Sequence, residues 1–182
     1  IQNDTIVTNQ AKSVIDLYDL ESKVAKHHYV EKAAVFLTID GVLKTNIKQR
    51  TPIARIFASE HSYYIDKQGV KVTLSKNYSS RVLLIAGIEN SADIQVILPL
   101  VSYILKDDFL QKEIVGIVKS DVDEYEFSVR SGDYKIAFGK LNDMKVKFNK
   151  LKAFYNTTYK NKTIQEYKRI TVKYHNQVVC SK

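Results

Sequence analysis

The chain has 182 residues, 45% of them apolar, enough for one ordinary domain or two small ones and too apolar for global disorder. Its net charge of +8 suits an acidic partner, but the Lys and Arg residues are distributed along the chain, which reads as a solvated basic surface rather than a nucleic-acid or membrane site. A single cysteine, Cys180, excludes an internal disulfide and a thiolate zinc site, and no run of about 18 apolar residues or charged-then-apolar leader is present.

The first segment reads as two helices and a hairpin. Leu17, Leu20 and Val24 recur at helical spacing, and that helix fades at His27-His28. Lys32 to Ile39 alternates, as does Val42 to Lys48, and Asp40-Gly41 between them predicts a two-residue type I′ turn, whose central residues both need positive φ. Arg50-Thr51-Pro52 breaks the pattern, because proline has no N–H for a ladder. Ile53 to Phe57 resumes as a short strand, and Tyr63 to Asp66 followed by Gln68-Gly69 gives a strand and a tight turn. The domain boundary is expected between Phe57 and Lys71, dividing the chain into 1–66 and 67–182.

The second half opens with an apolar strand, Val82 to Ala86, closed by Gly87. Ser91 is the expected N-cap of a helix whose buried stripe is Ile94, Ile97 or Leu98, Val101, and Ile104 or Leu105, kinked or split at Pro99. Three strands follow at hairpin spacing: Glu113 to Lys119, Glu124 to Arg130 and Tyr134 to Phe138. A second helix is marked by Leu141, Met144, Phe148, Leu151 and Tyr155, with Lys145, Lys147, Lys150 and Lys152 on its expected wet face. Tyr167 to Tyr174 and Gln177 to Cys180 read as two closing strands. The fold class is therefore α+β: a small first domain of two helices against a short sheet, then a larger mixed or antiparallel sheet with helices packed on it.

The search for chemistry is mostly negative. No glycine-rich phosphate loop and no Gly-X-Ser-X-Gly elbow occur. His27 and His28 are adjacent, so they diverge and do not chelate one metal. Asp107-Asp108 and the Asp121, Asp123, Glu124 group fall at a helix end and a turn, where carboxylates cap backbone N–H groups. The Asn-X-Ser/Thr triplets at Asn3, Asn77, Asn156 and Asn161 are read as chance matches rather than glycan sites. The tyrosines read as sheet residues rather than base-stacking platforms. No catalytic residue, metal, cofactor, small-molecule substrate or nucleic-acid partner is expected.

His28-Tyr29-Val30-Glu31-Lys32-Ala33, Gln49-Arg50-Thr51-Pro52-Ile53-Ala54-Arg55, Tyr64 to Gly69, Leu83 to Gly87 and the ending Val172-Lys173-Tyr174 through Val179 together resemble, in order, the FtsQ/DivIB bacterial cell-division family. Two departures are His27-His28 where the family often has His-Pro, and Gln49 where it has Glu. The resemblance implies a small POTRA domain followed by a β domain, on the periplasmic face of the inner membrane at the division septum. Because the chain begins at Ile1 without Met, the single-pass anchor is expected to lie upstream of it. The implied function is a non-catalytic divisome scaffold whose partners are FtsB-like and FtsL-like proteins. The alternative is a POTRA-bearing outer-membrane assembly factor that binds unfolded β-barrel substrates, which predicts tandem POTRA repeats where one is seen.

A chain ending in strands is expected to leave its last strand at a sheet edge, whose unpaired N–H and C=O groups can accept a partner strand. The expected partner-binding residues are Ile170, Thr171, Val172, Lys173, Tyr174, Val178 and Val179. Tyr174 is the expected anchor, and Lys173 the group that meets an acidic partner residue. Arg50, Pro52 and Arg55 mark a corner expected to fix the angle between domains.

Overall fold

The computed structural model describes residues 15–58, 61–75, 79–161 and 163–182. The helix expected ahead of Leu17 and the triplets at Asn3 and Asn77 lie outside the described residues. The chain divides into two compact units, one up to Arg50 and one from Thr51 onward.

In the first unit, helix α1 (Leu17–Ala25) precedes an antiparallel hairpin of β1 (Val30–Leu37) and β2 (Leu43–Gln49). Asp16 caps α1 by accepting from the Asp19 N–H at 3.0 Å. Glu21 on α1 accepts from the Val35 N–H at 2.9 Å and ties the helix to β1. The hairpin turn differs from expectation. Gly41 has φ +85, but Asp40 is not among the positive-φ residues, so the turn is not type I′. Instead Thr38 N–H donates to Val42 O and Gly41 N–H to Thr38 O, which closes a three-residue loop with Gly41 in the left-handed region.

The division falls earlier than the sequence places it. Strands β3 (Pro52–Phe57) and β4 (Ser62–Asp66), which a boundary at 66/67 would leave in the first domain, belong to the sheet of the second unit. Their Ala54, Ile56 and Ile65 are fully buried in its core. Pro52 marks the start of a strand rather than a gap, because the first residue of a strand tolerates a missing N–H.

Among the described residues that sheet has nine strands in the order β11-β10-β9-β8-β7-β6-β3-β4-β5. The remaining members are β5 (Lys71–Val72), β6 (Leu83–Ala86), β7 (Ile114–Lys119), β8 (Tyr125–Val129), β9 (Lys135–Gly139), β10 (Arg169–Thr171) and β11 (Val179–Ser181). The pairs β3/β6, β6/β7 and β9/β10 are parallel and the rest antiparallel. A parallel pair needs a crossover. Helices α2 (Ser91–Leu105) and α3 (Asp108–Glu113) make the one between β6 and β7, and α4 (Met144–Asn161) the one between β9 and β10. The α+β class, with helices packed on a large mixed sheet, is as expected.

Inward side chains of the strands, among them Ile56, Ile85, Ile117, Phe127, Ile136 and Ile170, meet those of the helices in one core. Each such residue contributes about 1.5–3 kcal/mol by leaving water. Asn90, not Ser91, caps α2, accepting from Asp93 N–H at 3.0 Å. Pro99 does not split α2, which runs unbroken with Ile94, Ile97, Leu100, Val101 and Ile104 buried. Pro99 itself is exposed, and the buried stripe offsets the one backbone bond it removes. The short helix α3 is unanticipated. Asp107 caps it, and Glu113, expected to open a strand, closes the helix instead. Glu113 is only 7% exposed and accepts from Ser131 Oγ and, at 3.0 Å, Tyr155 Oη. Tyr134 Oη donates to Tyr155 Oη at 2.7 Å, so this buried cluster joins α3, the β8–β9 turn and α4. Burial pushes the Tyr155 phenol far above its ordinary range, with the Tyr134 hydrogen bond adding to it.

Candidate functional site

The last two strands are shorter than the sequence suggests, and a lysine explains why. β10 lies parallel to β9 with Ile170 opposite Ile136 and Thr171 opposite Ala137, and its last ladder bond is Val172 N–H to Ala137 O at 3.0 Å. Beyond it, Lys150 of α4 donates to Val172 O at 2.9 Å and also to Tyr174 O. Those two carbonyls are taken by an ammonium, so the strand leaves the ladder at Thr171 instead of continuing to Tyr174. The neighbouring strand ends at Gly139, with φ +74. A Cβ built there would lie 2.7 Å from Lys173 Cβ, so the left-handed glycine makes room for the departing chain. The chain then returns as β11, antiparallel to β10 and outermost in the sheet.

The expected partner-binding residues are brought together on this hairpin but differ in access. Ile170 and Val172 are fully buried in the core, and Thr171 is half-buried on a strand paired on both sides. Tyr174 is 46% exposed and Val179 43% exposed, while Val178 is half-buried. The outward surface is therefore Tyr174 and β11, not β10. Sequence alternation puts Ile170, Val172 and Tyr174 on one face, but the departure at Thr171 separates Tyr174 from the other two. Lys173 pairs with Glu124 at 3.3 Å and stands 5.9 Å from the Tyr174 ring centre. Cys180 on β11 is half-buried, and burial pushes its thiol pKa up.

The lysines of α4 are not one wet face. Lys147 is 5% exposed, donates to Lys140 O at 2.7 Å and Asn142 Oδ1 at 3.0 Å, and has its pKa lowered by burial. Lys152 bonds Asp107, and Lys145 alone of the expected four is a plain exposed residue. Nor is the charge evenly spread. Residues 140–182 hold eleven Lys or Arg against two Asp or Glu, a local charge of +9 in a chain of +8, so the rest is close to neutral. Counting by segment would have found this signal. Between α4 and the 176–178 segment lies a groove of about 350 Å³, lined by Lys150, Ala153, Phe154, Thr157, Asn176, Gln177 and Val178.

The corner residues stand at the junction of the two units. Arg50 N–H donates to Tyr29 O within the first unit, and Pro52 opens β3 in the second. Arg55, on β3, donates from Nη2 to Ser62 Oγ at 2.8 Å and lies 5.0 Å from the Phe57 ring centre.

The residues considered for chemistry have structural engagements. The His27 and His28 rings stack at 4.7 Å, and His27 Nδ1 accepts from Tyr29 N–H at 3.3 Å. Lys119 bridges Asp93 at 3.3 Å and Asp123 at 3.0 Å. Among the described residues no group of three or more His, Cys, Asp or Glu could hold a metal, and no helix is long and apolar enough to cross a membrane.

Among solved structures, the chain is similar to the major extracytoplasmic domain of the trans isomer of the bacterial cell division protein DivIB from Geobacillus stearothermophilus. The two are 11% identical, the match covers 48% of this chain and 76% of that one, and the TM-score is 0.37. No curated protein matches the chain. A family model described as FtsQ/DivIB, C-terminal related, matches residues 51–181, which is nearly the whole second unit and carries the terminal hairpin. The chain thus belongs to the FtsQ/DivIB C-terminal-related family.

Proposed function

We propose that the chain is a non-catalytic scaffold of the bacterial division machinery that binds other division proteins through its terminal hairpin. Membership of the FtsQ/DivIB C-terminal-related family supports a role in cell division. The observation that carries the binding mode is β11, an outermost strand of the nine-stranded sheet, which among the described residues pairs with β10 alone. A partner strand laid along it gains backbone hydrogen bonds and gives the edge the cover such edges require. Tyr174, held in place through its carbonyl by Lys150, stands beside that edge as the aromatic anchor. Lys173 is engaged with Glu124, but an exposed pair contributes only about 0–1 kcal/mol, so a partner carboxylate can replace it at little cost.

In this reading the first unit is a POTRA domain, the protein works on the periplasmic face of the inner membrane at the septum, and FtsB-like and FtsL-like proteins are the partners. The Arg50–Pro52 junction sets the angle between units, and its deletion should change the small-angle scattering profile; an unchanged profile refutes that role.

The test of binding is a calorimetric titration of the chain with periplasmic fragments of FtsB-like and FtsL-like proteins from the same bacterium. A dissociation constant of about 1 μM or tighter is expected, weakened at least about tenfold in Tyr174→Ala with the fold retained. Wild-type affinity in that variant removes Tyr174 from the site. A folded chain that binds neither fragment refutes the scaffold reading and favours the assembly-factor alternative.

A further inference from the structure

Among the described residues, the helices of the second unit cover one face of its sheet. Ile56, Ile85, Ile117 and Phe127 stand side by side across β3, β6, β7 and β8, and all four are buried beneath those helices. The rows before and after them point to the opposite face. One is Arg55, Leu84, Gly116 and Ser128; the other is Phe57, Ala86, Val118 and Glu126. Phe57, Leu84 and Val118 are 43%, 44% and 47% exposed, so an apolar patch lies bare at the centre of the sheet. It sits on β3, β6 and β7, and parallel strands like these are seldom left open on either face.

The centre of the patch is a checkerboard. Leu84 and Ala86 follow each other on β6, opposite Gly116 and Val118 on β7, so each large side chain stands beside a small one. Gly116 is not demanded by its own chain. Its backbone is not left-handed, and a Cβ built on it would meet nothing nearer than Ser128 Cβ at 3.4 Å, an ordinary contact. A glycine inside a strand without such a need marks the close approach of another surface. Arg55, at one side of the patch, donates to Ser62 and lies over Phe57, but it has no carboxylate among the described residues and its Nε is buried without an acceptor. Glu126, at the other side, is paired with Arg169 and keeps 32% of its side chain exposed.

We propose that this face pairs with the same face of a second copy of the chain, about a two-fold axis that runs along the strands between β6 and β7. Such an axis lays β6 over β7 of the second copy and β3 over its β8. Leu84 then enters the space above Gly116 of the second copy, Val118 enters the space above Ala86, and each contact occurs twice. Arg55 comes over Ser128 of the second copy, two residues along the strand from the Glu126 carboxylate. Sheets stacked in this way lie about 10 Å apart with their strands about 30° out of line. An axis across the strands would also set large against small, but it brings residues 79–80, which bond Tyr64 Oη on this face, against their own copies. The axis along the strands sets them over β9 instead. It also leaves β11 beyond β5 of the second copy, so the edge proposed for strand addition stays open and the two proposals fail separately.

Sedimentation equilibrium of the whole chain between about 10 μM and 1 mM is the test. Four strands are only about 14 Å across, and the contact falls short of the roughly 800 Å² per copy of a standard interface, so a dissociation constant of about 100 μM is expected. Leu84→Asp, at an exposed position, should weaken the dimer at least about tenfold with thermal unfolding unchanged. Gly116→Leu should weaken it equally by setting leucine against leucine. The double variant Leu84→Gly with Gly116→Leu moves the large side chain to the other strand, and should return the dimer to within about threefold of wild type. A chain that is monomeric at 1 mM, a dimer that survives Leu84→Asp, or a folded double variant that stays monomeric each overturns the proposal. Division-protein fragments that shift the Leu84 and Val118 amides of a monomeric chain also overturn it, in favour of another protein on this face. Tyr174→Ala should leave the dimer intact whatever it does to those fragments.

Discussion

Replacing Lys150 by Met tests how the terminal hairpin is held. Met keeps the length of the stem and removes the ammonium that serves Val172 O and Tyr174 O. A hydrogen bond from a charged donor contributes about 1.5–3 kcal/mol, and water recovers part of this because Lys150 is only half-buried. Two such bonds together come to about 2 kcal/mol. If the hairpin opens as a unit while the rest of the sheet stays closed, that loss raises its opening equilibrium about 25-fold. Amide hydrogen exchange is the assay: protection at Ile170, Val172 and Cys180 should fall by about that factor, with Ile85 and Ile117 in the central strands unaffected. Unchanged protection at the hairpin would refute the argument that Lys150 holds the chain off the ladder. A uniform fall across β6 and β7 would show instead that Lys150 stabilises the whole unit.

Three further outcomes are expected. Glu113→Ala removes the shared acceptor of a buried hydroxyl cluster and should destabilise the second unit by about 3 kcal/mol in urea denaturation, with the m-value unchanged. Gly139→Ala forces a Cβ into the left-handed region and against Lys173, costing about 2 kcal/mol by the same measurement. At Asp107, burial pushes the carboxyl pKa up, but the Lys152 hydrogen bond and the Leu110 N–H outweigh it and leave the pKa below 3.8. Its stabilising effect is therefore present above pH 3.8 and lost as pH falls through the lower folded value. Asp107→Asn, which keeps the cap, should be less stable than wild type at neutral pH, and the gap should close below pH 3.8 in pH-resolved denaturation.

Much of the fold is legible in the sequence where one local rule acts alone. The β1–β2 alternation and the apolar run of β6 mark strands directly, and Phe148, Leu151 and Tyr155 keep the helical spacing that buries them. Readings failed where two rules competed. Pro52 reads as a break in the strands because proline lacks an N–H, yet the first position of β3 tolerates it, and the units divide at Arg50/Thr51 rather than between Phe57 and Lys71. Phe109 and Leu110 sit in a six-residue helix too short to show a period between α2 and β7. The site divides the same way. The edge position of β11 matches the expectation that a chain ending in strands leaves one of them outermost. That β10 is interior does not follow from chain order, because its parallel pairing with β9 depends on where α4 carries the chain. The role of Lys150 is hidden too, since its acceptors are 22 and 24 residues away and are backbone atoms, which leave no trace in side-chain identity.

The strand order has a consequence for how the protein is made. From β6 to β11 each strand adds beside its predecessor in the direction of synthesis, onto the side that β3 to β5 have already supplied. Of the two edges of this sheet, β5 and β11, the second follows the sheet's other strands in the chain, and it can dock only after α4 has crossed over and β10 has paired with β9. A half-made chain therefore exposes other strands for a time but never the finished docking edge. On the proposed reading, a partner that needs β11 and Tyr174 bypasses copies in which this sheet is unfinished, and its binding reports that the sheet has closed up to that strand.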